Sequence, residues 1–193
     1  FDIDITAETT VTIYPTGNGL RFYSIEYTYG GGSTPGGSGT DYTMILSAAA
    51  GVLSSNISGL PASWGDNTWT ATDDTGASTI TFTGNIYYSN SATKNIVWYF
   101  NKGKAETHVA ASGLGKIRKI TINPNSARKP ELLTCTYGTS ATVLAATEPT
   151  GTNSSTITFD FASAGIDSDD FRIDFTDTAT NIEVGSVVIE YTK

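Results

Sequence analysis

Residues 171–176 read Phe-Arg-Ile-Asp-Phe-Thr, FRIDFT. Phe171, Ile173 and Phe175 alternate with Arg172, Asp174 and Thr176, the period of a β-strand with one apolar and one polar face. A matching stretch, FDIDIT, opens the chain at residues 1–6, and each copy is followed by Ile-Glu-Tyr-Thr, at 25–28 and at 189–192. Each copy thus reads as an alternating strand, a loop and a closing strand. Residues 1–28 look like the last strands of a sandwich whose earlier strands are missing, as if the chain began inside a tandem repeat. Residues 1–29 are too few for a core of their own, because an isolated two-stranded ribbon is marginal in water. They are expected to pack on the main domain or on another molecule.

Outward from these echoes the organisation is simple. GGGSTPGGSGT, within residues 30–41, has the composition of a flexible linker. Residues 42–193 follow as one complete domain of short strand-like runs: TMILSA, NTWTAT, STITFTGNIYY, NIVWYF, ETHVAA, KIRKITI, ELLTCTY, ATVLAA, STITFDF, DFRIDFT and GSVVIEYT. Turn residues separate them, at DDTG, NKG, NPN and EPTGTN. Regularly spaced strands with almost no helical periodicity predict an all-β, antiparallel β-sandwich of jelly-roll type, with extra N-terminal strands from the partial repeat. ILSAAAGVL, residues 45–53, is the one stretch that could form a helical turn. The composition agrees: 10 Tyr, 8 Phe and only 16% charged residues favour pleated strands.

A net charge of −8 argues against nucleic acid and against anionic membranes as partners. The total hides an asymmetry. Eight of the 11 Lys and Arg fall between residues 94 and 129, beside one acid, Glu106. That segment reads as solvated strand faces and loops, or as a patch for an acidic glycan or an acidic neighbouring subunit. No apolar run approaches the roughly 18 residues of a membrane-spanning helix. Cys135 is the only cysteine, which excludes an internal disulfide. In LLTCTY it alternates in step with Leu133 and Tyr137, the pattern of a small buried side chain.

Catalytic chemistry finds little to work with. His108 is the single histidine and sits within an alternating run, so a nucleophile–base pair would have to be His108 with Cys135. Nineteen acids guarantee accidental carboxylate pairs, and no spacing singles one out for glycoside hydrolysis. The expectation is a protein that is not an enzyme. IDSDDF gathers Asp167, Asp169 and Asp170 before a strand, an oxygen-rich loop of the kind that accepts calcium, and Asp73 with Asp74 before Gly76 is a weaker version. SWGDNTW brackets a Gly-Asp-Asn turn with Trp64 and Trp69. An exposed indole there could stack on a sugar face while Asp66 and Asn67 take its hydroxyls. NIYYSN adds Tyr88, and because Tyr87 and Tyr88 point to opposite sheet faces, one of them is expected in the core. In NIVWYF, Ile96, Trp98 and Phe100 share one face, which reads as core.

The phrase GLGKIRKITIN, preceded by ETHVAAS and followed by FRIDFT and VVIEYT, resembles β-sandwich modules of secreted and surface proteins from gut Bacteroidetes. The matching positions are Trp98 to Phe100, Thr107 to Val109, Gly115, Ile117 to Ile120 and Val188 to Tyr191. The resemblance covers the chain from about Trp69 to its end. It implies a galactose-binding-like or adhesion-like module, repeated along a longer chain and placed at the cell surface or outside the cell. The leading expectation is a non-catalytic carbohydrate-binding or adhesion module with a glycan or surface polysaccharide as partner. The alternative is a structural subunit that self-associates by adding residues 1–29 to a neighbour's sheet.

Overall fold

The computed structural model describes residues 39–193, apart from 50–51, 54–56, 62, 74, 90–94, 105–106 and 148–150. The chain divides between Ser38 and Gly39, and every described residue belongs to the second unit, Gly39–Lys193. The strands expected within 1–29 and most of the 30–41 linker therefore lie outside the described residues.

The described chain is all-β, and no α-helix occurs among its described residues. Its strands are β1 (Asp41–Ala49), β2 (Val52–Leu53), β3 (Ile57–Ser58), β4 (Asn67–Thr72), β5 (Thr79–Gly84), β6 (Tyr87–Ser89) and β7 (Ile96–Phe100), followed by β8 (Thr107–Ala111), β9 (Lys116–Pro124), β10 (Leu133–Tyr137), β11 (Thr142–Leu144), β12 (Ile157–Asp160), β13 (Phe171–Phe175) and β14 (Ile182–Thr192). One 3-10 turn, Pro130–Leu132, precedes β10. The described residues of the stretch that could have been a helical turn form β1 and β2 instead.

Two antiparallel sheets pack face to face as a sandwich. The first runs β12-β9-β14-β1-β2. β14 is its spine: one flank pairs with β9, and the other pairs first with β7 and then with β1. β6 continues the sheet beyond β7. The second sheet runs β11-β10-β13-β8-β5-β4-β3. The first and last strands of the sandwich lie side by side, from Asp41 opposite Thr192 to Ser47 opposite Ser186. Two backbone hydrogen bonds between Thr40 and Lys193 extend this ladder, so the domain starts slightly before the expected residue 42.

Alternation explains the packing. β5 buries Ile80 and Phe82 while Thr79, Thr81 and Thr83 face outward, and β13 buries Phe171, Ile173 and Phe175. Between the sheets the aromatic rings form a connected chain. Trp69 stacks on Phe82 at 5.7 Å, Phe82 meets Trp98 at 6.2 Å and Phe171 at 6.4 Å, and Phe100 meets Phe175 at 6.0 Å. Pairs of this geometry add about 0.5–1.5 kcal/mol each beyond area burial. Tyr191 and Asp73 close one side of this core, the tyrosine hydroxyl donating to Asp73 Oδ2 at 3.0 Å.

Candidate ligand-binding site

The turn before β4 is built by its own residues. Asn67 Nδ2 donates to the carbonyls of Ser63 at 3.2 Å and Gly65 at 2.6 Å, and Gly65 sits at φ 144°, a backbone shape that side chains disfavour. This turn lifts Trp64 out of the sheet. Its ring, half-buried, lies 5.3 Å from that of Tyr99 with the planes at 49°. Lys104, from the β7–β8 turn, brings Nζ to 5.8 Å from the Trp64 ring centre, within cation–π range. Trp64, Gly65, Asp66, Asn85 and Lys104 enclose a small pocket of about 270 Å³. Asn85 is anchored on β8, its Oδ1 accepting from His108 N at 2.7 Å and its N donating to His108 O at 3.2 Å.

Of the aromatic cluster expected to bind a ligand, the structure brings Trp64 and Asp66 into one pocket. Asn67 shapes the turn rather than lining the pocket. Trp69 is a correction: at 2% exposure it is a core residue stacked on Phe82 and offers no face to a ligand. Tyr88 is half-buried in β6, with its backbone N donating to Pro61 O at 2.9 Å, and does not line the pocket. Asn85 and Lys104 were missed. Their sequence signals were only the turn marks Gly84-Asn85 and Asn101-Lys-Gly, and nothing in the chain order links either turn to Trp64.

The aspartates expected to hold calcium do not converge. Asp167 pairs with Lys116 at 3.1 Å. Asp170 Oδ1 accepts from Gly138 N at 2.7 Å and Ser168 Oγ at 2.8 Å, and the exposed Asp169 contributes its backbone oxygen to Leu114 N at 3.2 Å. The loop is thereby fastened to its neighbours, and among the described residues no three His, Cys, Asp or Glu side chains are grouped to hold a metal ion. Asp73, of the weaker candidate pair, is buried: Oδ1 accepts from Thr75 N, Thr75 Oγ1 and Ala77 N at 2.7–3.1 Å. Asp74 lies outside the described residues.

His108 and Cys135 point to opposite faces of the second sheet. β13 joins them: Asp174 pairs with outward-facing His108, and Ile173 pairs with inward-facing Cys135. Burial, with the Asp174 charge adding to it, pushes the Cys135 thiol up to about 12, which keeps it protonated and unreactive. Much of the basic segment is answered within the fold. Lys116 and Lys119 pair with Asp167 and Glu190, while Lys102 and Arg128 donate to the carbonyls of Ala179 and Asn181. No protein-family model matches this chain, and no curated protein or solved structure matches it.

Proposed function

We propose that this chain is a non-catalytic carbohydrate-binding or adhesion module that works outside the cell or at its surface. The observation that carries the reading is Trp64. It is the half-exposed member of the three tryptophans, since Trp69 and Trp98 are buried, and it is flanked by the polar side chains of Asp66, Asn85 and Lys104. An indole face with hydrogen-bonding groups beside it suits a sugar ring, whose C–H face is apolar and whose rim is hydroxylated. A pocket of about 270 Å³ matches a single sugar unit better than an extended chain. The non-catalytic part of the reading is supported by the separation of His108 from Cys135 and by the protonated state of that thiol.

Tryptophan fluorescence tests this directly, because the three indoles differ in exposure. Iodide should quench Trp64 and spare Trp69 and Trp98, and a sugar seated in the pocket should protect Trp64 from iodide. Trp64→Ala is expected to weaken the binding of that sugar about tenfold, the equivalent of one lost stacking contact. A panel of hexoses, pentoses and amino sugars that leaves Trp64 quenching unchanged would count against the pocket.

A further inference from the structure

We infer that the outer face of the second sheet is a second binding site, a trough that takes an extended, uncharged glycan chain. The ligand class rests on the carbohydrate reading above; the site itself shares no lining residue with the Trp64 pocket.

The trough, of about 620 Å³, is a consequence of side-chain size along four registered strands. β8 presents Ala110 outward, and Ser112 and Gly113 continue the line, so its outer side is low. Thr83 stands beside Ala110 on β5, with Thr81 and Thr79 following it outward along the same strand. On the other side Arg172 of β13 pairs with Ala110, and Thr136 of β10 pairs with Arg172. Strands lie about 4.8 Å apart and outward side chains recur about every 6.8 Å. Across the sheet the row therefore runs Thr83, Ala110, Arg172 and Thr136, three strand spacings or about 14 Å, with hydroxyls and methyls flanking the guanidinium. Tyr137, in phase with inward-facing Cys135, packs its ring edge-on against the buried Phe161 at 5.8 Å.

Its charges decide the class of ligand. The Arg172 guanidinium is held by Asp174, with Nε at 2.9 and 3.0 Å from the two carboxylate oxygens and the ion pair closing at 2.7 Å. Asp170 is engaged by Gly138 N and Ser168 Oγ. Arg172, Asp174 and Asp170 together carry one net negative charge, which disfavours an anionic chain. A neutral polyol can add hydrogen bonds to these groups without displacing any of them. It can exchange hydrogen bonds with the threonine rows and lay its C–H faces on their methyls and on Ala110.

Affinity electrophoresis of the full chain tests this, in native gels containing a soluble β-glucan, a galactomannan or a polyuronate. Three variants are run beside the natural chain: Ala110→Gln, which fills the floor; Thr81→Val, which deletes one hydroxyl at constant shape; and Trp64→Ala. At least one neutral polymer should retard the natural chain, and the polyuronate should not. Measured in the Trp64→Ala background, so that the pocket does not contribute, Ala110→Gln should weaken the remaining retardation tenfold or more and Thr81→Val severalfold. If Ala110→Gln and Thr81→Val migrate like the natural chain and Trp64→Ala alone loses retardation, the trough is overturned and the Trp64 reading stands. Retardation by the polyuronate at least as strong as by the neutral polymers overturns the uncharged class. If no polymer retards the chain the trough is overturned, and the carbohydrate reading falls with it when the sugar panel also leaves Trp64 unprotected.

Discussion

Tyr191 ties the last strand to a turn 118 positions earlier, through the hydrogen bond from its hydroxyl to Asp73. Burial works to raise the Asp73 carboxyl. Hydrogen bonds from Thr75, Tyr191, Ala77 and Ser78 together outweigh it and hold the group at about 2, below its ordinary 3.8. A carboxylate depressed in the folded state adds stability that is fully present above the unfolded value and lost as pH falls through the folded one. The account therefore expects stability to decline between about pH 4 and pH 2, with Asp73→Asn flattening that part of a urea-unfolding series against pH; an acid limb unchanged by the substitution would refute it. Tyr191→Phe removes a hydrogen bond to a charged group and should cost about 1.5–3 kcal/mol by the same assay. On the alkaline side, burial first and then the Asp73 hydrogen bond push the Tyr191 phenol up to about 12, so its contribution is present below pH 10 and lost as pH rises toward 12.

At the level of strands, β5 and β8 make the case for close backbone approach. A methyl on Gly84 would run into the carbonyl oxygen of His108, which is main chain and has no rotamer to give way. Gly84→Ala should therefore prise β5 from β8 and destabilise the sandwich by about 1–3 kcal/mol, the range for overpacking; a melting curve unchanged by the substitution would contradict this packing. The eleven strand-like runs all appear as strands, and most of them bury one face and so carry the period of two that sheets require. Trp98 was legible as core for the same reason. β7 shows the limit: Val97 and Tyr99, out of phase with Ile96, Trp98 and Phe100, are still only 0% and 9% exposed, and Tyr99 is covered by Trp64, a contact that no local pattern encodes. Trp69 was misassigned although its signal was present. In NTWTAT it is in phase with Ala71, opposite the threonines, and that alternation outweighs its nearness to the Gly-Asp-Asn turn. The aspartates of IDSDDF find their partners, Lys116 and Gly138, in distant segments, and no local pattern encodes those contacts.

At the scale of the molecule, the sandwich closes by pairing its first strand with its last, and both candidate ligand sites belong to this one domain. The sheet architecture was legible because it follows from periodicity. The sites were legible only in fragments, because the pocket joins the turns at 64–66, 85 and 104, and the trough depends on which strands stand beside β8. Asp66 and Lys104 leave the pocket without a dominant charge, and Arg172, Asp174 and Asp170 give the trough one net negative charge, so neutral glycans are the proposed ligands of a molecule whose net charge is −8. The most direct test is a glycan array probed with the full chain at neutral pH, its fold verified beforehand by circular dichroism. Retention is expected on a set of uncharged glycans and none on their uronic-acid counterparts. A blank array from folded protein, or retention confined to acidic glycans, would contradict it.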